Sequence, residues 1–357
     1  MNRFQKIFID HYEEMIYTLH FRCHSHFCPT CGNMYAIDRT TTMSFKLINC
    51  THRHCVFTIP EQLRPYFFKD RTLLNCLFSA VRSVVLRMFH KMNKAKNFTP
   101  GIICDLHTFG RSLQWNPHIH CLISEGGVSD EGFWRKVDFF SYTYLRNAFC
   151  TALLNILHSR LGKSFKTMKA HIYQHCKDGF YIFAKPNLCD PKTVTKYIGR
   201  YLGRPVIATS RIDNYDGENV TFHYNRHEDD KLIIETLPAI NFIVLLIQHI
   251  PDKHFKMIRY YGIYARNRDS DKKLYKVVAK EAHKFLLSFN CWRNSILSSF
   301  GYDPLKCPKC GQTMIFLELY FNHKPVSLQE LYKKAMRKHN CRAPAKHQYA
   351  IPQRSAV

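Results

Sequence analysis

The stretch Trp-Asn-Pro-His-Ile-His-Cys-Leu-Ile, residues 115–123, decides the fold of this chain. The segment from Pro117 to Ser124 predicts a β-strand, in which successive side chains point to opposite faces of a sheet. His118 and His120 then project together from one face, while the apolar residues between and after them pack into a core on the other. Two imidazoles on one face can hold a divalent metal ion, provided that a third ligand lies nearby.

The preceding segment offers that third ligand. Residues 101–109 are typical of a strand and residues 110–112 of a turn, so the two strands should pair as an antiparallel hairpin. Asp105 and His107 would share the face of the histidine pair, and we favour His107 because it lies nearer the turn. Neutral imidazole suits Mn, Zn, Ni or Co, whereas Mg prefers oxygen ligands. The residues therefore leave the metal open, with Mg or Mn expected at a catalytic site.

A second chemical signal follows further along the chain. The dipeptide Asp190-Pro191 predicts the start of a helix, and the Gly-Arg-Pro of residues 203–205 predicts its end. Tyr197 and Tyr201 are four residues apart within it and should share one face. We expect these two phenols to act as nucleophiles.

Four cations are also spaced by four along this predicted helix, about 100° round from the tyrosines. They form a basic ladder of Lys192, Lys196, Arg200 and Arg204. A phosphodiester lying along the helix would meet both phenols and cations, so the ladder is expected to bind DNA. Attack by a phenol would give a 5′-phosphotyrosine and a free 3′-OH, and the ester would conserve the bond energy needed for rejoining.

The composition points to a polyanionic partner. Lys and Arg outnumber Asp and Glu 52 to 27, a formal charge of +25, and such a surplus gains affinity by displacing counterions from phosphates. A membrane surface or a ribosomal-type role would be the alternatives. The longest apolar stretch, residues 240–250, is well short of the roughly 20 residues of a membrane span, so no membrane partner is expected. The odd count of 15 cysteines favours a reducing cytoplasm over a disulfide framework.

Three regions are expected. Residues 1–60 are rich in Cys and His, residues 61–270 should form the catalytic domain, and residues 271–357 a basic, helical region containing Cys307 and Cys310. Within the catalytic domain the patterns predict helices at about 61–95, 131–158 and 240–249, strands at 179–184 and 257–264, and a hairpin of 220–224 against 232–236.

A set of short motifs in a fixed order occupies residues 54–61, 107–111, 116–120, 203–208, 214–217 and 258–262. They resemble the rolling-circle transposases of the insertion sequence 91 family, of the HUH endonuclease superfamily, over most of residues 50–270. The resemblance implies an α+β fold with a palm-like antiparallel sheet flanked by helices, metal on the central strands and the tyrosines on a helix opposite. Relatives carry His or Gln at the position of His107. It also implies single-stranded DNA partners, at the ends of a mobile element and in the target, and a bacterial cytoplasmic protein that associates with the nucleoid when bound to DNA.

The N-terminal region departs from that family. Relatives carry a zinc-binding region with one Cys-x2-Cys pair followed by a Cys-x4-Cys-x2-Cys cluster. Cys23, Cys28 and Cys31 keep the second cluster, but the upstream pair is absent. A structural zinc site has four ligands, so His24, His26 or a distant residue would have to complete it; otherwise the cluster is a relic. Cys307 and Cys310 form a second possible zinc knuckle, for which the candidate partners are His323, His339 and Cys341.

The sequence leaves three functions open. The favoured one is a transposase that nicks and rejoins single-stranded DNA. A rolling-circle replication initiator would use the same chemistry, although the Cys-rich N-terminus and the lack of a helicase segment argue against it. A non-mobile DNA-binding remnant of a transposase is the third, since the shortened zinc region suggests a truncated element.

Overall fold

The computed structural model describes residues 50–92, 98–130, 132–137, 139–188, 206–226, 228–265, 301–307 and 310–314, with a few isolated positions elsewhere. The chain divides into two compact units, Met1–Leu286 and Leu287–Val357. The expected helix with both tyrosines and the basic ladder lies outside the described residues, and so do Cys23, Cys28 and Cys31.

Antiparallel strands and flanking helices make up the first unit. Its described strands are β1 (His52–Phe57), β2 (Phe98–Phe109), β3 (Trp115–Ser129), β4 (Trp134–Lys136), β5 (Ile182–Leu188), β6 (Ile212–Tyr215), β7 (Asn219–Asn225), β8 (Leu232–Pro238) and β9 (Ile258–Gly262). Its described α-helices are α1 (Arg64–Lys69), α2 (Leu74–Met92), α3 (Tyr142–Leu161), α4 (Lys166–His175) and α5 (Ala239–Ile247). This architecture confirms the expected α+β fold with an antiparallel sheet flanked by helices.

The larger sheet has the strand order β5-β1-β3-β2-β9, and β4 pairs with the distal part of β3. At its centre β2 and β3 form the predicted hairpin, in which His107 lies opposite His118 and Asp105 opposite His120. The hairpin is confirmed, and its strands run beyond the predicted limits. The histidines thus lie on the two central strands, which are paired on both sides.

The two faces of this sheet differ in chemistry. The apolar face packs against the helices, and its buried members include Cys55, Phe57, Ile102, Cys104, Leu106, Ile119, Cys121 and Ile123. The opposite face carries six polar residues of the same strands, namely His52, His54, Asp105, His107, His118 and His120. Strand alternation explains this segregation, because every second side chain points to the same side.

Three cysteines form a row on the apolar face. Cys121 lies opposite Cys55 on β1 and opposite Cys104 on β2. The sulfur atoms of Cys104 and Cys121 are 3.7 Å apart, and all three residues are fully buried. They are free thiols.

Helix α2 supplies much of the core. Leu77, Val81, Val85 and Phe89 recur at intervals of four and are fully buried, which is the pattern of a helix with one buried face. The segment Arg71–Met92 is long and apolar enough to cross a membrane, by length and composition alone. Its buried side chains belong to the core cluster beneath the sheet, and this packing accounts for its hydropathy.

The helix predicted at 61–95 is divided in the structure. Asp70 adopts an extended conformation, with φ −128° and ψ 97°, and its carboxylate accepts a hydrogen bond from the backbone amide of Thr72. This side-chain cap ends α1 and starts a short 3₁₀ turn that leads into α2. A local hydrogen bond therefore outweighs the continuous apolar pattern.

The helix predicted at 131–158 begins later than expected. Residues 134–136 form β4 instead, paired with Gly126, Gly127 and Val128 of β3. A Cβ atom at Gly126 would lie 2.3 Å from the Trp134 ring, so the absence of a side chain there admits the indole. Helix α3 starts at Tyr142, where Ser141 caps its N-terminus.

The other predicted elements that fall within the described residues of this unit are confirmed within a few residues. The 220–224 and 232–236 hairpin is β7–β8, within a three-stranded sheet β6-β7-β8. The predicted helix at 240–249 is α5, which packs Phe242 and Ile243 against Val220 and Phe222. The predicted strands at 179–184 and 257–264 correspond to β5 and β9.

The second unit differs from its prediction around the cysteine pair. The backbone amide of Gly311 donates to the carbonyl of Cys307 over 2.9 Å, and a β-bridge joins Lys306 to Thr313. Gly311 has φ +72°, a conformation that ends helices and makes turns. Cys307 and Cys310 therefore lie in a tight turn, not in a helix, and two short strands follow, β10 (Tyr320–Phe321) and β11 (Lys324–Pro325).

Replacing Gly262 with alanine should destabilise the larger sheet strongly. Gly262 has φ +61°, and a Cβ atom there would lie 1.8 Å from the Pro100 carbonyl oxygen. Left-handed backbone and overpacking each cost about 1–3 kcal/mol, so we expect a loss of about 2–5 kcal/mol in the free energy of unfolding. Gly110→Ala is the control, because its Cβ would meet only ordinary contacts. Equal denaturation midpoints for the two variants would contradict the expectation.

Candidate metal centre

Three histidines of the β2–β3 hairpin form one cluster. One ligand atom from each of His107, His118 and His120 lies within 4.8 Å of the others. His107 is buried and the other two are half-buried. Among the described residues this is the one group of three or more His, Cys, Asp or Glu side chains close enough to share a metal ion.

The contact between His118 and His120 fits a bound cation. Their Nε2 atoms are 3.1 Å apart, and His118 Nδ1 is 2.7 Å from the carbonyl oxygen of Asn116. A carbonyl only accepts, so His118 Nδ1 is the donor and Nε2 of the neutral ring keeps its lone pair. Two facing ring nitrogens at this distance need either a shared proton or a cation between them. The donor set is therefore chemically suited to a divalent ion that takes imidazole ligands.

His107 is oriented by a carboxylate. Its Nε2 atom is 3.2 Å from Asp105 Oδ2, and both side chains are buried. Burial raises the pKa of Asp105, while the hydrogen bond from His107 acts in the opposite direction. A neutral His107 that donates from Nε2 keeps its lone pair on Nδ1. Asp105, the alternative third ligand in the sequence, contacts His107 in the structure.

A fourth histidine adjoins the cluster and was not foreseen from the sequence. His54 lies on β1, with 2 % of its surface exposed. Its Nε2 atom is 3.0 Å from Nδ1 of His120, and the planes of the two rings are nearly parallel, with an angle of 3° between them. The signal was present in the alternation His52-Arg53-His54, but only the pairing of β1 with β3 shows which ring it meets.

Aromatic packing borders the cluster on the hairpin turn side. The His107 ring stacks on Phe109 at 5.2 Å, and Phe109 meets His249 edge to face. His249 accepts a hydrogen bond from the Thr108 hydroxyl at Nδ1 and donates from Nε2 to the Leu113 carbonyl, over 3.1 and 2.8 Å. Both ring nitrogens are thus satisfied in the neutral form.

This arrangement predicts acid sensitivity. Burial lowers the pKa of His249 to about 4, whereas an unfolded chain takes up the proton near pH 6.5. The neutral ring therefore stabilises the fold above about pH 6.5, and this contribution is lost as the pH falls towards 4, by up to about 1.4 kcal/mol per pH unit. In metal-free buffer, His249→Gln should show a shallower fall of unfolding free energy between these pH values than the wild-type protein. Identical slopes in denaturant titrations would refute this role of His249.

Most of the other expected site residues lie outside the part of the chain that the structure describes. Tyr197, Tyr201, the basic ladder and the three N-terminal cysteines lie outside the described residues. Cys307 and Cys310 belong to the second unit, where Cys310 is exposed. Within the described part of that unit no group of three potential metal ligands includes them.

Comparison with known proteins gives the family. A model described as "Putative transposase" matches residues 101–271, and one described as "Transposase zinc-binding domain" matches residues 10–59. The "Transposase for insertion sequence element IS801" of Pseudomonas savastanoi pv. phaseolicola is 30% identical over 315 residues, covering 82% of this chain and 74% of that protein. The chain belongs to the insertion sequence 91 family of transposases. The "Putative transposase y4qJ" of Sinorhizobium fredii is 25% identical over 323 residues, covering 84% of this chain and 81% of the relative.

No solved structure matches this member of the insertion sequence 91 family. The resemblance found from its motifs is confirmed by the matches. The zinc-binding match supports a structural zinc in the N-terminal region, and the histidine cluster lies within the segment matched by the transposase model.

Proposed function

We propose that this transposase nicks and rejoins single-stranded DNA through a 5′-phosphotyrosine intermediate, in rolling-circle transposition. The observation that carries the proposal is the convergence of His107, His118 and His120 on the central hairpin, within 4.8 Å. The family of the chain and its formal charge of +25 support a DNA substrate. We assign the chemistry to residues 61–270, with the cysteine-rich region before them and the basic region after them as accessory parts.

The three histidines would hold a divalent ion, Mg or Mn. When bound, such an ion polarises the scissile phosphate and stabilises the charge that builds on its oxygens. The protein's part is to keep three imidazole lone pairs directed to one point. The Asn116 carbonyl orients the His118 ring by accepting a hydrogen bond from its Nδ1 atom. The Asp105 carboxylate orients the His107 ring by accepting one from its Nε2 atom. Outer contacts of this kind set the orientation and basicity of metal ligands.

Tyr197 and Tyr201 would provide the nucleophiles. A phenol oxygen attacks phosphorus, the bond from phosphorus to the 3′ oxygen breaks, and the products are a 5′-phosphotyrosine and a 3′-OH. The phenol proton leaves and a proton reaches the 3′ oxygen, so the step is balanced without ATP. Rejoining is the reverse attack by a 3′-OH, and a second phenol allows a second strand end to be held. A phenol has a pKa of about 10, so its attack requires a base that accepts its proton or a cation that stabilises its oxygen.

The basic ladder would bind the sugar-phosphate backbone. Its cations lie beside the tyrosines on one predicted helix. Their contribution to affinity should fall with added salt, because the release of counterions from the phosphates is less favourable at a higher salt concentration. Their partners are single-stranded ends of the mobile element and target DNA. The protein would act in the cytoplasm, at the nucleoid when bound.

The family match favours a transposase over a replication initiator with the same chemistry. An experiment distinguishes an active transposase from a remnant that binds DNA without cleaving it. Single-stranded oligonucleotides carrying the ends of the element are incubated with the full-length protein and Mn or Mg. A 3′-end label should become covalently attached to the protein, while a 5′-end label should appear on a shorter free strand with a 3′-OH. Attachment of the 5′-end label, or no adduct with either, would overturn the proposal.

A further inference from the structure

His54 contacts the metal centre from outside the triad. It lies on β1, and its neighbour Val56 is paired directly with His120 of β3. The rings of His54 and His120 are nearly parallel, with centroids 5.2 Å apart. A buried imidazole that is nearly parallel to a ligand's ring, with a nitrogen within hydrogen-bond distance of that ligand's outer nitrogen, is placed to act on the ligand.

The protons of this contact can be counted. A ring that gives the Nε2 lone pair to an ion must carry its proton on Nδ1. For His120 that Nδ1 atom lies 3.0 Å from Nε2 of His54. When the triad is loaded, His120 must therefore donate and His54 must accept, which places the proton of His54 on its own Nδ1.

We propose that His54 is a positioning residue of the metal centre, which accepts a hydrogen bond from His120 Nδ1 and so directs the Nε2 lone pair of His120 to the ion. This inference rests on the proposed function of the triad. It gives each ligand a different outer partner: a backbone carbonyl for His118, a carboxylate for His107 and an imidazole for His120. The triad on β2 and β3 then depends on a third strand, β1.

The test separates the acceptor from the bulk of the ring. His54→Phe keeps an aromatic ring of similar size but removes the acceptor, whereas His54→Gln offers a carbonyl oxygen in its place. His52→Phe is the matched control, because His52 is buried on the same face of the same strand and its Nε2 meets the Tyr264 hydroxyl at 2.6 Å. Thermal melting of each metal-free variant checks that the fold is kept.

Metal affinity is the first readout, measured by titrating the full-length, metal-free protein with Mn and with Co. Loss of an outer partner costs roughly 10- to 100-fold in metal affinity. We expect that loss for His54→Phe, recovery to within a few-fold of wild type for His54→Gln, and wild-type affinity for His52→Phe. The second readout is the ¹⁵N spectrum of the zinc-loaded protein, in which His54 should be the Nδ1-protonated tautomer.

Three results would overturn the inference. Wild-type affinity in His54→Phe would show that His120 needs no such partner, and affinity in His54→Gln as low as in His54→Phe would show that the ring acts by packing. An Nε2-protonated His54 in the loaded protein would reverse the direction of the hydrogen bond. Failure of the metal site itself gives a different result, since wild-type affinity would then equal that of a His118→Ala/His120→Ala variant.

Discussion

Replacing Tyr197 and Tyr201 together with phenylalanine should abolish the covalent protein–DNA adduct. The change removes both nucleophilic oxygens and keeps the rings, so any loss reflects chemistry and not a cavity. Of the single variants, we expect Tyr197→Phe to lose most initial cleavage and Tyr201→Phe to keep some cleavage while impairing strand transfer. Single-strand binding should persist in all three, because the ladder cations are untouched.

Tyr173→Phe serves as the control for this series, because Tyr173 is an exposed residue of α4 and should leave adduct formation unchanged. The adduct is followed by gel retardation of a 3′-end-labelled strand and by mass spectrometry of the linked peptide. A DNA-linked peptide recovered from the double variant would remove both tyrosines from the mechanism.

Replacing either His118 or His120 with alanine should strongly reduce the rate of DNA cleavage. Alanine at either position leaves two ligands at most, and metal-derived stabilisation worth several kcal/mol corresponds to about a thousandfold in cleavage rate. DNA affinity should change little, because in the proposed function the cations and not the triad bind the DNA. His171→Ala removes a half-buried imidazole of α4, and this variant should cleave normally.

Cleavage rates and single-strand binding are measured side by side for these histidine variants, across a range of Mn concentrations. Cleavage by either triad variant at the wild-type rate in chelated buffer would exclude the metal hypothesis. A parallel loss of DNA binding would instead show that the triad acts on affinity.

Local pattern was sufficient to predict the centre of the fold. The period-two alternation around His118 and the short turn after Phe109 defined a hairpin, and antiparallel pairing then placed His107 opposite His118. These features depend on residues close together in sequence, so they can be derived without knowing the rest of the chain.

Elsewhere, single contacts outweighed the pattern. The break at Asp70 depends on one side-chain hydrogen bond to Thr72. The strand β4 depends on Gly126 leaving room for Trp134. Neither effect changes the apolar periodicity from which a helix is predicted. The helices predicted at 61–95 and 131–158 are therefore too long.

The residues of the candidate site also differ in whether the sequence alone predicts them. His107, His118 and His120 were named from sequence because a single hairpin carries them. His54 was missed because its contact with His120 depends on β1 pairing beside β3, across a large sequence separation. The motif at residues 54–61 is part of the family resemblance, but no role for His54 can be predicted from it without knowing the order of the strands.

The row of cysteines on the apolar face gives the centre a natural reporter. Cys55, Cys104 and Cys121 lie on the same three strands as the four histidines, but on the opposite face, where solvent does not reach them. Burial also raises the pKa of Cys55 to about 12, so little reactive thiolate is present. Because helices cover this face, an alkylating reagent can label these sulfurs only when the sheet and the helices come apart. Their labelling rate would therefore record how often the platform beneath the metal centre opens, and a bound ion should slow it.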